Sequence, residues 1–258
     1  MASRSTESCI SMTDSTTVNP DSSGCAIADY AEILAVRHGE TSWNADGRIQ
    51  GHLDVELNDI GRQQAAAVAD RISKEMPISA VYSSDLKRAT ETAHIIASTC
   101  GVPEKFFNMF QVITDPELRE RHLGDLQGLV LREAAELKPD AYLASLSPRT
   151  DQEIPGGGES FDQLYGRCTS SLQKIGNKHT AACFTGERVV VVTHGGVIRA
   201  FHKRSAPTEN LPGKIQNVSL NIFRLAGEEW MINTWGDTSH VSKTGYLETA
   251  FGGDKTSG

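Results

Sequence analysis

Two short runs in this 258-residue chain have the composition of a catalytic centre: Arg37-His38-Gly39-Glu40 and Thr193-His194-Gly195-Gly196. Each histidine follows an apolar run and precedes a glycine. Imidazole can act near neutral pH as a nucleophile and a proton carrier. Glycine lets the backbone turn sharply and brings its N–H close to a ligand. Arg37 adds a planar fork that suits a phosphate or a carboxylate. Arg88 follows the Ser83-Ser84-Asp85 turn, at the start of a helix whose N-terminal end would also favour an anion. Glu120 and Arg121 lie in a Gly-interrupted loop. Taken singly, each has an ordinary reading: a hydrogen-bonded core histidine, a surface arginine, a solvated glutamate. Two histidines in matching settings, one with an arginine beside it, point instead to an anion-handling site.

The elements needed to bring these residues together can be read from the apolar pattern. Ile33–Val36 and the VVVV within Arg188–Thr193 are continuous apolar runs, as expected of strands buried on both faces. Each ends at its histidine. Buried neighbouring strands lie about 4.8 Å apart, so adjacency would put the two imidazoles around one anion. In open α/β sheets that position, the carboxyl end of the strands, is where ligands bind. Residues 40–58 read as a loop, and Asn58 as the cap of a helix over 59–75 that Pro77 ends. Ser79–Tyr82 reads as a short strand, and Leu86–Gly101 as a helix. One or two strand-like pieces fall in 106–118, a helix in 131–138 stopped by Pro139, and a loop in 145–158. Further helices are expected from Glu159 to about His179 and over Val197–Lys203, with paired strands at 217–224 and 229–235 around Gly227.

Strands alternating with helices predict an α/β fold, a three-layer α/β/α sandwich with a mostly parallel central sheet. The expected organisation is one domain over 29–237. A Ser/Thr-rich tail precedes it over 1–28 and a polar tail follows over 238–258.

Lys+Arg 25 against Asp+Glu 33 gives a net charge of −8, which argues against non-specific nucleic-acid binding. A local pocket can still be positive on an acidic protein, so a small anionic substrate is compatible. No apolar run is long enough to span a membrane. The five cysteines (9, 25, 100, 168, 183) form no CxxC and read as small buried hydrophobes in a reducing compartment. The expected location is cytoplasmic. A plastid transit segment is the alternative, although the leader contains Glu7, Asp14 and Asp21 and such segments are poor in acids.

Six blocks, in order, resemble the histidine phosphatase superfamily in its cofactor-dependent phosphoglycerate mutase-like branch. They are RHGETSWN (37–44), RIQGH (48–52), SSDLKRATETA (83–93), ELRERHLGDLQGL (117–129), PGGGES (155–160) and VVTHGGVIR (191–199). The resemblance covers about 30–225 and implies a phosphoglycerate mutase-like fold. It further implies that His38 is the nucleophile and forms a phosphohistidine. Arg37, Arg88 and His194 would surround the phosphoryl oxygens, and Glu120 would serve as general acid and then base. Asn44, Gln50, Gly51 and Gly195 would contact the ligand. No metal and no cofactor is implied; the partner is a small phosphorylated substrate, and a homodimer is expected from the family's habit.

Mutases of the branch carry GLNK and then Trp-Arg-Arg, cations that hold the second anionic group of a bisphosphoglycerate. Here the stretch reads GLVL with Leu131 in the lysine's place, and Arg149 is the nearest basic residue. Losing charge-assisted contacts at about 1.5–3 kcal/mol each disfavours retention of a bisphosphate. The resemblance therefore implies a metal-independent phosphomonoesterase, phosphoserine being the favoured substrate. The alternatives are a cofactor-dependent phosphoglycerate mutase, or a broad-specificity or sugar-bisphosphate phosphatase. A catalytically idle binding protein and a phosphopeptide phosphatase also remain open. His122, close to Glu120, is either a donor to a substrate carboxylate or a loop-packing residue.

Overall fold

The computed structural model describes residues 30–75, 77–101, 112–180, 187–210 and 212–242. Its strands are β1 (Ala31–Arg37), β2 (Ala80–Ser83), β3 (Val112–Thr114), β4 (Arg188–Thr193), β5 (Leu220–Ala226) and β6 (Glu229–Asp237). They form one sheet in the order β3-β2-β4-β1-β5-β6. β1 to β4 run parallel, β5 pairs antiparallel with β1, and β6 pairs antiparallel with β5. The two continuous apolar runs are the adjacent central strands, with Arg37 opposite Thr193. That register places the next residues of both chains, His38 and His194, side by side.

Helices cover both faces. α2 (Asp59–Ser73) and α3 (Lys87–Cys100) follow β1 and β2, and bury Val68, Ile72, Ala93 and Ile96 against Leu34, Val36, Val190 and Val192. α6 (Phe161–Thr180) and α7 (Gly195–Ser205) bury Leu164, Leu172, Val197 and Phe201 against Ile33, Ala35, Val189 and Val191. The alternation of the strands between the two clusters accounts for their lack of polar residues: neither face meets water. Gly176 allows α6 to approach β5, since a Cβ there would lie 2.6 Å from Leu225 Cδ2. A third, smaller cluster (Ile49, Leu123, Leu126, Ala134, Ala141, Ile154) joins the segments that leave the carboxyl ends of β1 and β3.

Several elements differ from the sequence reading. The 40–58 loop contains α1 (Ser42–Ala45), capped by Thr41 and Asn44. α4 (Leu131–Leu137) stops before Pro139, but that proline opens a further helix, α5 (Pro139–Ser145). Proline lacks only an N–H that the first helical turn does not use, so it starts a helix as readily as it stops one. α7 begins at Gly195, directly after His194, two residues earlier than expected. The second strand pair starts at Leu220 rather than 217. Past Asp237, α8 (Ser239–Ser242) packs Val241 onto the α2–α3 face. Cys168 is buried in the core, with its thiol pushed up to about 12 by burial, and Cys100 is half-buried. The expected 1–28 tail, most of the 238–258 tail, Cys9, Cys25, Cys183 and most of the strand-like stretch at 106–118 lie outside the described residues.

Candidate active site

His38 is buried where β1 ends, and its Nδ1 lies 2.7 Å from the carbonyl of Gly39. A carbonyl only accepts, so Nδ1 carries the proton and Nε2 keeps a free lone pair. Burial, then the charges of Arg88 and Arg37, hold the imidazole well below its usual pKa, so the ring is neutral at neutral pH. A neutral imidazole with an unprotonated Nε2 is the nucleophilic form.

The backbone that carries the ring is fixed from three sides. The His38 N–H donates to Thr193 O (2.9 Å), and its carbonyl accepts from Asn217 Nδ2 (2.9 Å). Gly39 N donates to Thr92 Oγ1 (3.1 Å), and a side chain at Gly39 would strike the backbone of α2, since a Cβ there would lie 2.4 Å from Gly61 O. Residues 215–219 wrap this turn: Ile215 O accepts from Arg37 Nη1 (2.7 Å) and Val218 N donates to Arg37 O (3.0 Å). Val218 has φ 52°, a left-handed conformation that is a genuine outlier for a β-branched residue. Such strain costs about 1–3 kcal/mol and persists only where surrounding contacts impose it.

His194 faces His38 with ring centroids 5.1 Å apart and planes at 59°. Its Nε2 is 2.8 Å from Ser84 Oγ, while Nδ1 is buried without a hydrogen-bond partner. Burial, Arg88 and His38 lower its pKa. Arg88, in the first turn of α3, is 1 % exposed. It donates to Leu53 O (2.9 Å) and Gly51 O (2.7 Å), and its Nε is buried without a partner. Burial pulls its pKa down to about 10, against the opposing pull of Glu120 and Asp54. Buried polar groups are normally satisfied, so the orphaned Arg88 Nε and His194 Nδ1 mark a place for an oxyanion.

Glu120 completes the group. Burial raises its pKa, opposed by N–H bonds from Arg121 (2.8 Å, to Oε1) and Gly196 (3.1 Å, to Oε2), then by Arg88 and Arg37. The Gly196 bond sets the carboxyl at the N-terminus of α7, beside His194. Gly195 opens that helix, where the first N–H groups have no intrahelical acceptor.

Of the sequence-derived residues, Arg37, His38, Arg88, Glu120 and His194 converge. Gly51 joins them through its carbonyl on Arg88, and Gln50 and Asn44 meet at Thr41 Oγ1 (3.0 and 3.1 Å). The Asn44 side-chain oxygen also accepts from Thr41 N, within the cap of α1. His122 has loop neighbours at both nitrogens: Gly124 N at Nδ1 (3.2 Å) and Gln127 Nε2 at Nε2 (3.2 Å). Its ring stands edge-on to His52, whose Nε2 donates to Glu120 O (2.6 Å).

Sequence reasoning missed Ser84, Thr92, Asn217 and His52 as parts of the site. Ser84 stood in a turn already recognised and His52 in a recognised block. Thr92 and Asn217 act on backbone groups that folding alone brings to them. Among the described residues, no group of three or more His, Cys, Asp or Glu side chains is placed to hold a metal ion, and no helix is long and apolar enough to cross a membrane.

A family model described as histidine phosphatase superfamily (branch 1) matches residues 33–238. Phosphoglycerate mutase-like protein 4 of Arabidopsis thaliana is 61% identical over 89% of this chain and 95% of its own. A metal-independent phosphoserine phosphatase of Arabidopsis thaliana is 50% identical over 88% and 90%. A mycobacterial glucosyl-3-phosphoglycerate phosphatase solved with VO3 superposes with a TM-score of 0.68 at 30% identity, covering 81% of this chain and 100% of that one.

Proposed function

This chain belongs to branch 1 of the histidine phosphatase superfamily and is a histidine-type phosphatase; we propose that it hydrolyses a small phosphorylated acid, phosphoserine first, through a phosphohistidine and without a metal. The observation that carries this reading is the pair His38–His194 beside two buried arginines, with Glu120 among them. In the first half-reaction the Nε2 lone pair of His38 attacks phosphorus in line. The P–N bond forms as the bond to the leaving oxygen breaks. Arg37, Arg88 and His194 hold the equatorial oxygens, where charge is spread in the transition state. Glu120, its pKa raised by burial, gives its proton to the leaving alcohol. In the second half-reaction its carboxylate takes a proton from water. That water attacks phosphorus, the P–N bond breaks, and the electron pair returns to His38. Asn44, Gln50, Gly51 and Gly195 bound the phosphoryl pocket. The VO3 complex of the mycobacterial relative supports an oxyanion site in this fold.

The name of the relative at 50% identity supports phosphoserine. The name of the relative at 61% supports a second reading, phosphoglycerate mutase. Three side chains weigh against it. Leu131, the first residue of α4, replaces the mutases' lysine. Arg149 is taken up by Asp151 (2.9 Å) and Lys138 by Asp125 (3.1 Å), both pairs on the surface. Neither is a spare cation for a second anionic group.

The test is phosphate release in excess EDTA from L-phosphoserine, 3-phosphoglycerate and p-nitrophenyl phosphate, beside a mutase assay with and without 2,3-bisphosphoglycerate. EDTA-resistant release preferring phosphoserine is expected. Mutase activity that depends on the bisphosphate would overturn the reading.

A further inference from the structure

Arg167, on α6, lies outside the group of reacting side chains, yet all five of its N–H donors are engaged around the segment that carries Glu120. Nη1 donates to Glu117 O (2.7 Å) and Arg119 O (2.8 Å), and Nη2 to Glu120 O (2.8 Å). Nε and Nη2 also grip both carboxylate oxygens of Glu159 (2.7 and 2.9 Å). Glu159 in turn accepts from His122 N (2.8 Å), and its own N–H donates to His122 O (2.8 Å). The pair is mostly buried, with side chains 14 % and 20 % exposed. One ion pair thus holds the carbonyls of Glu117, Arg119 and Glu120 and both backbone groups of His122 beyond them. Its base is firm, because Cys168 and Leu164 anchor this stretch of α6 in the core.

We propose that Arg167, held by Glu159, is the positioning residue for the general acid: it sets the backbone from which the Glu120 carboxyl reaches the leaving oxygen. This rests on the reading of Glu120 as general acid. Proton transfer requires the carboxyl within about 2.6–3.2 Å of the leaving oxygen. A displacement of about 1 Å can cost about 100-fold in rate. A segment of irregular backbone without such a clamp would not hold that tolerance.

The test compares kcat/KM for an alkyl ester, phosphoserine, with that for p-nitrophenyl phosphate. Nitrophenolate is a good leaving group and departs without a proton; a serine alkoxide does not. kcat/KM reports only steps up to departure of the leaving group, so the later water attack does not blur the comparison. The variants are Arg167→Lys, Glu159→Gln and Glu120→Gln, each with a thermal melt. Glu120→Gln is expected to lower the alkyl value by about 10²–10⁴-fold while sparing most of the aryl value. Arg167→Lys is expected to follow the same pattern at about 100-fold on the alkyl ester and a few-fold on the aryl ester. If Arg167→Lys fails to fold, Glu159→Gln, which keeps the shape and breaks half the clamp, carries the same comparison. Equal losses on both esters in the Arg167 or Glu159 variant, or no loss, would overturn the proposal if Glu120→Gln remains selective. Loss of selectivity in Glu120→Gln itself would instead remove the general-acid reading.

Discussion

A cation buried for substrate rather than for the fold should carry a particular energetic signature, and Arg88→Met exposes it. Burial lowers the Arg88 pKa from 12.5 to about 10. At about 1.36 kcal/mol per unit, the charged form carries a penalty of about 3 kcal/mol in the ligand-free fold. The folded pKa lies below the unfolded one, so the penalty is fully present at neutral pH and fades only as pH rises through about 10. Methionine removes it but leaves the carbonyls of Gly51 and Leu53 without their donors. Leu53 is exposed, so water can replace one donor. Gly51 is buried, and its orphaned carbonyl costs about 1–3 kcal/mol. The variant is therefore expected to unfold at a urea midpoint equal to the wild type or higher, by up to about 2 kcal/mol. Removing one partner of a fully satisfied buried ion pair would instead lose about 3–5 kcal/mol. The assay is urea unfolding in phosphate-free buffer, repeated with inorganic phosphate. The wild type gains about 2.7 kcal/mol at phosphate one hundred times its Kd, and Arg88→Met gains almost nothing. Turnover falls by at least about 10²-fold. A stability loss of 3 kcal/mol or more, or undiminished stabilisation by phosphate, would refute the reasoning.

Three further outcomes follow from the same geometry. Gly51→Ala forces a side chain onto φ 52° and places a Cβ 2.1 Å from Gln127 Oε1; a loss of about 1–2 kcal/mol in stability and a drop in kcat/KM through Arg88 are expected, measured by urea unfolding and steady-state kinetics. The pH profile of kcat/KM for phosphoserine should fall on the acid side as His38 protonates, at a pKa well below 6.5, and on the alkaline side as Glu120 loses its proton at a raised pKa; p-nitrophenyl phosphate, whose leaving group departs without a proton, should show the acid limb but no alkaline limb from Glu120. Arg188 opens β4 at the opposite end of the sheet and pairs with Glu32 and with Glu75 (2.9 Å). Arg188→Ala should cost about 3–5 kcal/mol in a urea melt while kcat stays unchanged. Although burial raises the Glu75 pKa, bonds from Arg71 and Arg188 hold it below its usual value, so its contribution is present at neutral pH and lost as pH falls through the lowered pKa.

The central pair was legible because a run such as VVVV has one stable environment, the middle of a covered parallel sheet. Two such runs in a small sheet had a good chance of adjacency, and their terminal histidines followed. Glu120 and Arg88 were legible only as members of a set, since either alone reads as a solvated charge. Pro139 misled because proline both stops one helix and suits the first turn of the next. The short α1 and α8 were hidden by their length: four residues show no period. Arg167 and Glu159 lay in recognised or nearby sequence, but apart from each other their partners are backbone carbonyls and the His122 N–H, which carry no residue-type signal. Asn217 and strained Val218 escaped for the same reason, their work being done on the backbone of Arg37 and His38.

The most direct test of the account is capture of the phosphoenzyme. The enzyme is mixed with p-nitrophenyl phosphate in excess EDTA, quenched within milliseconds in base, which preserves phosphohistidine, and mapped by peptide mass spectrometry. The account predicts one phosphoryl group on the imidazole of His38, a burst of nitrophenol ahead of phosphate, and neither in His38→Ala. A phosphoryl group on any other residue, or near wild-type turnover in His38→Ala, would contradict it.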